Sequence, residues 1–304
     1  LVSSAAYMAA GMAQSFVVLL AAQLVVGIGT SVGFGPLTAN VSHWFVRRRG
    51  LAVAIVSSSA YLSGVVWTTL IAGILRDGDW RDVQTAVATA LLAVVPLAFL
   101  LRRRVSAEVL GAADRAAAGR VKQAGISAGA LRWLLVVAGV ACCVAMAMPQ
   151  VHIVALCTDM GFTLAQGNTL LSLILAAGIV SRVVSGLLID RIGAIRVLLI
   201  GSVLQMLALC LYIPQNGLVS LYVVSLIFGL AQGGILPAYP MIVRDYLPAR
   251  HAGAAIGTVS MATQFGMAFG GWLSGWIYDQ TQSYLLAFVN GIGWNAVNIA
   301  VILF

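Results

Sequence analysis

An arginine in the middle of an apolar run is the residue in this sequence that most demands a chemical partner. Arg182 stands in LLSLILAAGIVSRVVSGLLID, eight residues before Asp190, so on a helix it lies about 12 Å from the polar end of its segment. A guanidinium at that depth is costly, and its planar fork fits a carboxylate bidentately, which makes an organic anion its natural ligand. A backbone carbonyl, or bending of the side chain toward the interface, would satisfy it too. His152, seven residues before Asp159 on the preceding apolar segment, lies about 10 Å from that segment's other end. Its imidazole titrates near neutral pH, so it suits a coupling proton, donation to an anion, or a bond to a neighbouring helix. Gln150 is about 200° around a regular helix from His152, and shares its face only where Pro149 distorts the turn.

The segments that carry these residues are read from composition. With 61% hydrophobic residues, 9% charged and a mean hydropathy of +1.01, the chain folds against a bilayer rather than water. Neither Leu1 to Val46 nor Val197 to Val243 contains an Asp, Glu, Lys or Arg, so each holds two helical spans of about 20 residues. Their breaks fall at Gly11 to Ser15 and at Pro214 to Gly217. Such continuous apolar runs exclude a β-barrel, whose strands alternate polar and apolar. Spans are predicted at 1–13, 17–44, 51–75, 83–101, 132–157, 163–189, 195–213, 218–243, 253–277 and 283–304, the first incomplete. Cys142, Cys143, Cys157 and Cys210 lie within spans without metal-ligand spacing, and read as small core residues. The net charge of +8 is dispersed among spans, not gathered on a soluble basic face, so nucleic acid is not an expected partner.

The cations give topology instead. Placing Arg47 to Arg49 inside puts 14 of the 17 Lys and Arg on one side, with Arg76 and Arg81 opposite and Arg182 within a span. That side is cytoplasmic by the positive-inside rule, and the acidic loops around Asp77, Asp79, Asp82, Asp159 and Asp279 face outward. An Ala- and Gly-rich polar stretch between Val105 and Ala130 reads as a cytoplasmic linker. It divides an N-terminal bundle, 1–104, from a six-helix C-terminal bundle, 131–304. A repeat supports the division: GIGTSVGFGPLTANVSHWFVRRRGLAVAIVSSS from Gly27 is similar to GLAQGGILPAYPMIVRDYLPARHAGAAIGTVSM from Gly229, as parallel repeats are. If the halves are equivalent, the first lacks two helices and part of a third.

Two further motifs carry a family resemblance. GLLIDRIGAIR, with Gly186, Asp190, Arg191, Gly193 and Arg196, resembles the G-x-x-x-D-R-x-G-R-R loop of the major facilitator superfamily in its second-half position. WFVRRRGLAVAIVSSS from Trp44 resembles the monocarboxylate transporter pattern Y-F-x-x-R-R-x-L-A-x-G-x-A-x-x-G, agreeing at Phe45, Arg48, Arg49, Leu51 and Ala52 and departing at Trp44, Ala54, Val56 and Ser59. The resemblance implies an all-α membrane fold of two pseudo-symmetric helix bundles, with about ten of twelve helices present. It implies that the GLLIDRIGAIR loop is a conformational latch, with Asp190 facing the start of the span at Gly50 and Arg196 reaching Asp245. An ordinary basic turn is the alternative. The segment from Trp44 points to the monocarboxylate and oxalate/formate branch, and the spacing from Arg182 to Gly186 matches the arginine of monocarboxylate transporters. Where that family has an acidic residue one turn earlier, this chain has Gly178.

Tyr61, Trp67, Gln232, Tyr239 and Gln264 fall on spans that line the cavity in this superfamily, where they orient a small ligand or serve as interhelical contacts. Gly27, Gly29, Gly33 and Gly35 serve close helix packing. The function expected is secondary transport of a small organic anion, with protons as a coupling partner, by alternating access in a bacterial inner membrane. An uncharged or drug-like substrate, or a non-transporting sensor or inactive product, is the alternative. No enzyme, cofactor or metal is expected, because the spans hold no paired acids, no ligand cluster and no nucleophile with an evident base. No ring or filter motif of a channel is present either.

Overall fold

In the computed structural model, residues 1–45, 47–99, 111, 114–120, 125–214 and 217–304 are described, the side chains at 31, 32, 34, 36, 68, 69, 72, 98, 249 and 250 excepted. The chain is helical almost throughout. Helices α1 (Val2–Gly11), α2 (Phe16–Trp44), α3 (Arg49–Asp77) and α4 (Trp80–Ala98) precede α5 (Ala128–Asp159), α6 (Leu164–Ile192) and α7 (Ala194–Leu211). Then come α8 (Leu218–Gln232), α9 (Ile235–Tyr246), α10 (Ala249–Thr281) and α11 (Leu285–Leu303). The linker expected at 105–130, with its boundary at 104, lies largely outside the described residues, although 114–120 are helical.

Local chemistry sets the helix ends. Thr163 and Gln166 form a capping box that starts α6, and Asp79 and Asp82 do the same for α4, each satisfying first-turn amides that no carbonyl can reach. Gly193 ends α6 and begins α7 at φ 88°, a left-handed conformation that a side chain would strain. The span expected over 218–243 is broken after Gln232, where Gly233 and Gly234 separate α8 from α9. Two adjacent glycines weaken helix propensity enough for a bend to persist.

The polarity of the bundle is the reverse of a soluble core. On α7, Ser202 and Gln205 are buried while Ile200, Leu204 and Leu207 are exposed. Gln205 donates to the Cys142 carbonyl of α5, and Asn295 and Asn298 of α11 both bond Ser202. Amides inside and leucines outside is the arrangement expected where lipid surrounds the helices and hydrogen bonds join them. Stretches long and apolar enough to cross a bilayer include Arg49–Trp67, Ala128–Asp159, Leu164–Ile192, Ala194–Leu211, Leu218–Tyr246 and Leu285–Leu303. Cys142, Cys143 and Cys157 are buried as expected, whereas Cys210 is exposed, because it falls on the outward face of α7.

Helix α5 packs on α10, α11 and α6, α8 on α6 and α7, and α1 on α2 and α4. Contacts between the first four helices and the rest run through α3 on α6 and α9, and α2 on α9 and α10. The α3–α6 pair is antiparallel and carries the candidate site.

Candidate functional site

At its basic end α3 begins without a side-chain cap of its own. Its orphan donors are satisfied from another helix: the Asp190 carboxylate of α6 accepts from Gly50 N at 2.7 Å and from Leu51 N at 3.1 Å. A carboxylate at a helix N-terminus meets both the free amides and the positive end of the helix dipole. The approach requires glycine on both sides. A Cβ on Gly186 would lie 2.8 Å from Gly50 O, and one on Gly50 would lie 2.5 Å from Gly186 O.

Two turns further along the same pair, polar atoms collect. Arg182 is 2% exposed; its Nη1 donates to the Ser57 carbonyl of α3, and its Cζ stands 3.6 Å from the centroid of the Tyr61 ring. The ring occupies the space that a side chain at Gly178 would need, with Cδ2 2.9 Å from a Cβ placed there. Gln150 of α5 donates to Gln232 Oε1 of α8 at 2.6 Å, and its Nε2 lies 3.5 Å from Tyr61 Oη. Gln232 is 1% exposed. Its Nε2 and Arg182 Nε are buried and, among the described residues, have no hydrogen-bond partner. Ser181 bonds the Leu230 carbonyl at 2.6 Å, and a Cβ on Gly233 would lie 2.5 Å from Gly178 O, so α6 and α8 are fixed against each other beside the cluster.

Four of the sequence-predicted residues, Arg182, Tyr61, Gln150 and Gln232, are thus brought together by α6, α3, α5 and α8. Four others lie apart. His152 turns away from Gln150, as two residues on a regular helix must, and its Nε2 sits 2.8 Å from the Gly271 carbonyl of α10, with its ring 6.0 Å from that of Tyr284. Tyr239 is buried on α9, Trp67 is half-buried on α3, and Gln264 is exposed on α10. Among the described residues, none of these four bonds or stacks with the cluster around Arg182. Two members of the cluster went unnoticed in the sequence: the Ser57 carbonyl, and Gly178 as the seat of the Tyr61 ring. Each is one helical turn from its partner, Ser57 from Tyr61 and Gly178 from Arg182, but nothing in the sequence says that those two helices meet.

The loop residues divide similarly. Arg196, in the first turn of α7, is exposed and among the described residues does not pair with Asp245, whose carboxylate takes Arg120 at 2.7 Å. Arg191, Arg196 and Arg48 are exposed, and Arg49 is half-buried. At the acidic end, Tyr278 donates to Asp159 at 2.6 Å, tying α10 to α5. Among the described residues no group of three His, Cys, Asp or Glu side chains stands ready to hold a metal.

The model of the Major Facilitator Superfamily matches residues 1–213 and, a second time, 133–304. The chain belongs to that family. It is 27% identical over 270 residues to monocarboxylate transporter 13 of Bos taurus, covering 88% of this chain and 62% of that protein. It is 24% identical over 242 residues to agnestins efflux protein AgnL12 of Paecilomyces divaricatus, covering 80% of this chain and 54% of that one. The fold is that of the fucose:proton symporter FucP of E. coli, with a TM-score of 0.72 at 14% identity, over 100% of this chain and 80% of that one. Helix polarity and family together make this an integral, multi-pass membrane protein. The chain spans about three fifths of the length of the first relative, 62%.

Proposed function

We propose that this chain forms most of a secondary transporter for small organic carboxylates, with Arg182 as the residue that receives the anion. The observation that carries this reading is the state of Arg182. It is 2% exposed, held by a ring face and one backbone carbonyl, and has a buried Nε without a hydrogen-bond partner among the described residues. A buried cation in that state gains several kcal/mol from a carboxylate that neutralises it, so the ligand supplies what the fold leaves out. Gln232 and Gln150 add neutral donors on the facing helices. Residues 1–104 and 131–304 act as two bundles that rock about this level, and the Asp190 cap on α3 is the latch broken and remade as the basic end opens. A relative named a monocarboxylate transporter supports the substrate class.

A second reading, export of a larger uncharged compound, is favoured by the relative named as an efflux protein, and leaves Arg182 as an interhelical tie to Ser57. One experiment separates the two. The protein, expressed from its complete reading frame, is reconstituted in proteoliposomes and assayed for uptake and counterflow of radiolabelled formate, acetate, pyruvate and oxalate with and without a pH gradient. Saturable counterflow that Arg182→Ala abolishes is the expected result, and dependence on the gradient identifies proton coupling. Undiminished carboxylate flux through Arg182→Ala, or no flux of any of the four, sinks the carboxylate reading.

A further inference from the structure

We infer that Tyr61, seated in the notch left by Gly178, positions the Arg182 guanidinium for its ligand through its ring rather than its hydroxyl. This rests on the carboxylate reading above and assigns a role to two residues on facing helices that neither that reading nor the family match requires. The geometry has three parts. Against the Cδ2–Cε2 edge of the ring lies the backbone of α6 at Gly178: a Cβ there would stand 2.9 Å from Tyr61 Cδ2 and closer still to Cε2. Glycine at 178 is therefore the condition for the ring to lie where it does. The guanidinium lies over the ring, with Cζ 3.6 Å from the centroid, which is the separation of a stacked cation–π pair. Finally, the Ser57 carbonyl, one turn before Tyr61 on the same helix, takes Nη1.

A planar cation held by its face and by one corner cannot rotate about its long axis. Its remaining donors lie in the guanidinium plane, and Nε, buried and unpaired among the described residues, stands on the edge where a planar oxyanion would dock. Stacking engages the π face and leaves the N–H edge free, so the ring orients the cation without competing for the ligand. The hydroxyl's contact with Gln150 Nε2, at 3.5 Å, is at the long limit of a hydrogen bond.

The test is a double-mutant cycle on the complete protein in proteoliposomes, reading KM and Vmax for the radiolabelled carboxylate among formate, acetate, pyruvate and oxalate that gives the largest counterflow. Tyr61→Leu is expected to raise KM about tenfold with Vmax within about threefold, the pattern of lost positioning in both ground and transition states. Tyr61→Phe keeps KM within about twofold, because the ring remains. Gly178→Ala displaces the ring without touching Tyr61, so it raises KM as Tyr61→Leu does, yet adds less than about twofold in the Tyr61→Leu background. Full additivity of the two, an unchanged KM for Tyr61→Leu, or a Tyr61→Phe as impaired as Tyr61→Leu would each overturn the positioning role. These failures differ from failure of the carboxylate reading, which shows as flux that persists in Arg182→Ala or as no flux at all.

Discussion

The α3–α6 pair meets at two levels that are built on opposite principles. At the basic end, around Gly50, Gly186 and Asp190, the backbones touch and both first-turn amides of α3 have a carboxylate partner. Two turns away, around Arg182 and Tyr61, two donors are buried without partners among the described residues. The levels differ in burial, Asp190 being exposed and Arg182 2% exposed, but burial does not say which of them awaits a partner. Satisfaction does: the first level is complete as folded, and the second holds polar groups whose cost is offset only when something else arrives. One level of the crossing is structure, and the other is structure held ready for a ligand.

That contrast can be broken most severely at the first level. Gly186→Leu forces a side chain into the Gly50 backbone and should cost about 3 kcal/mol or more, seen as a large fall in melting temperature in detergent or as loss of monodisperse protein. A well-folded Gly186→Leu would show that the helices are not in contact there. Next in size, Asp190→Asn keeps the shape but removes the charge from the cap and should cost about 2 kcal/mol. The same variant should raise labelling of a cysteine placed at Leu51 by a membrane-impermeant thiol reagent applied from the basic side. Unchanged stability and labelling together would remove Asp190 from any latch.

The smallest effect has the opposite sign. Arg182→Met replaces an uncompensated buried cation with a side chain of similar volume, so the protein should be more stable by about 1 kcal/mol in thermal melts while carboxylate transport is lost. If Arg182→Met instead destabilises as much as Asp190→Asn, the two levels are alike and Arg182 is a tie between helices. The comparison would then collapse into one continuous structural seam.

His152 gives a useful contrast with both. Its depth and its titratable ring matched Arg182 as a candidate in the sequence, yet its nitrogen finds a carbonyl on α10 and its place in the fold is accounted for by that bond. Asp190, by contrast, was legible through the family resemblance: the likeness of GLLIDRIGAIR to the superfamily loop implied that it faces the span at Gly50, where the carboxylate accepts from Gly50 and Leu51. Arg196 was not, because a long exposed side chain can reach several acids, and the segment at 114–120 supplied a competitor in Arg120.

Sequence alone determined the solvent, the helices, their approximate ends and the loops that carry most of the cations. Those are properties of local composition and of hydrophobic length, and they need no knowledge of which helix touches which. It also singled out Arg182, because a charge inside an apolar run is anomalous wherever the chain goes. Only the tertiary structure decided that Gln150 and Gln232 meet, that Tyr61 lies beneath Arg182, and that His152 does not. Side chains on different helices converge through crossing angles set by glycines at Gly178, Gly186 and Gly233, and a glycine's effect on packing appears only when the helix it admits is known.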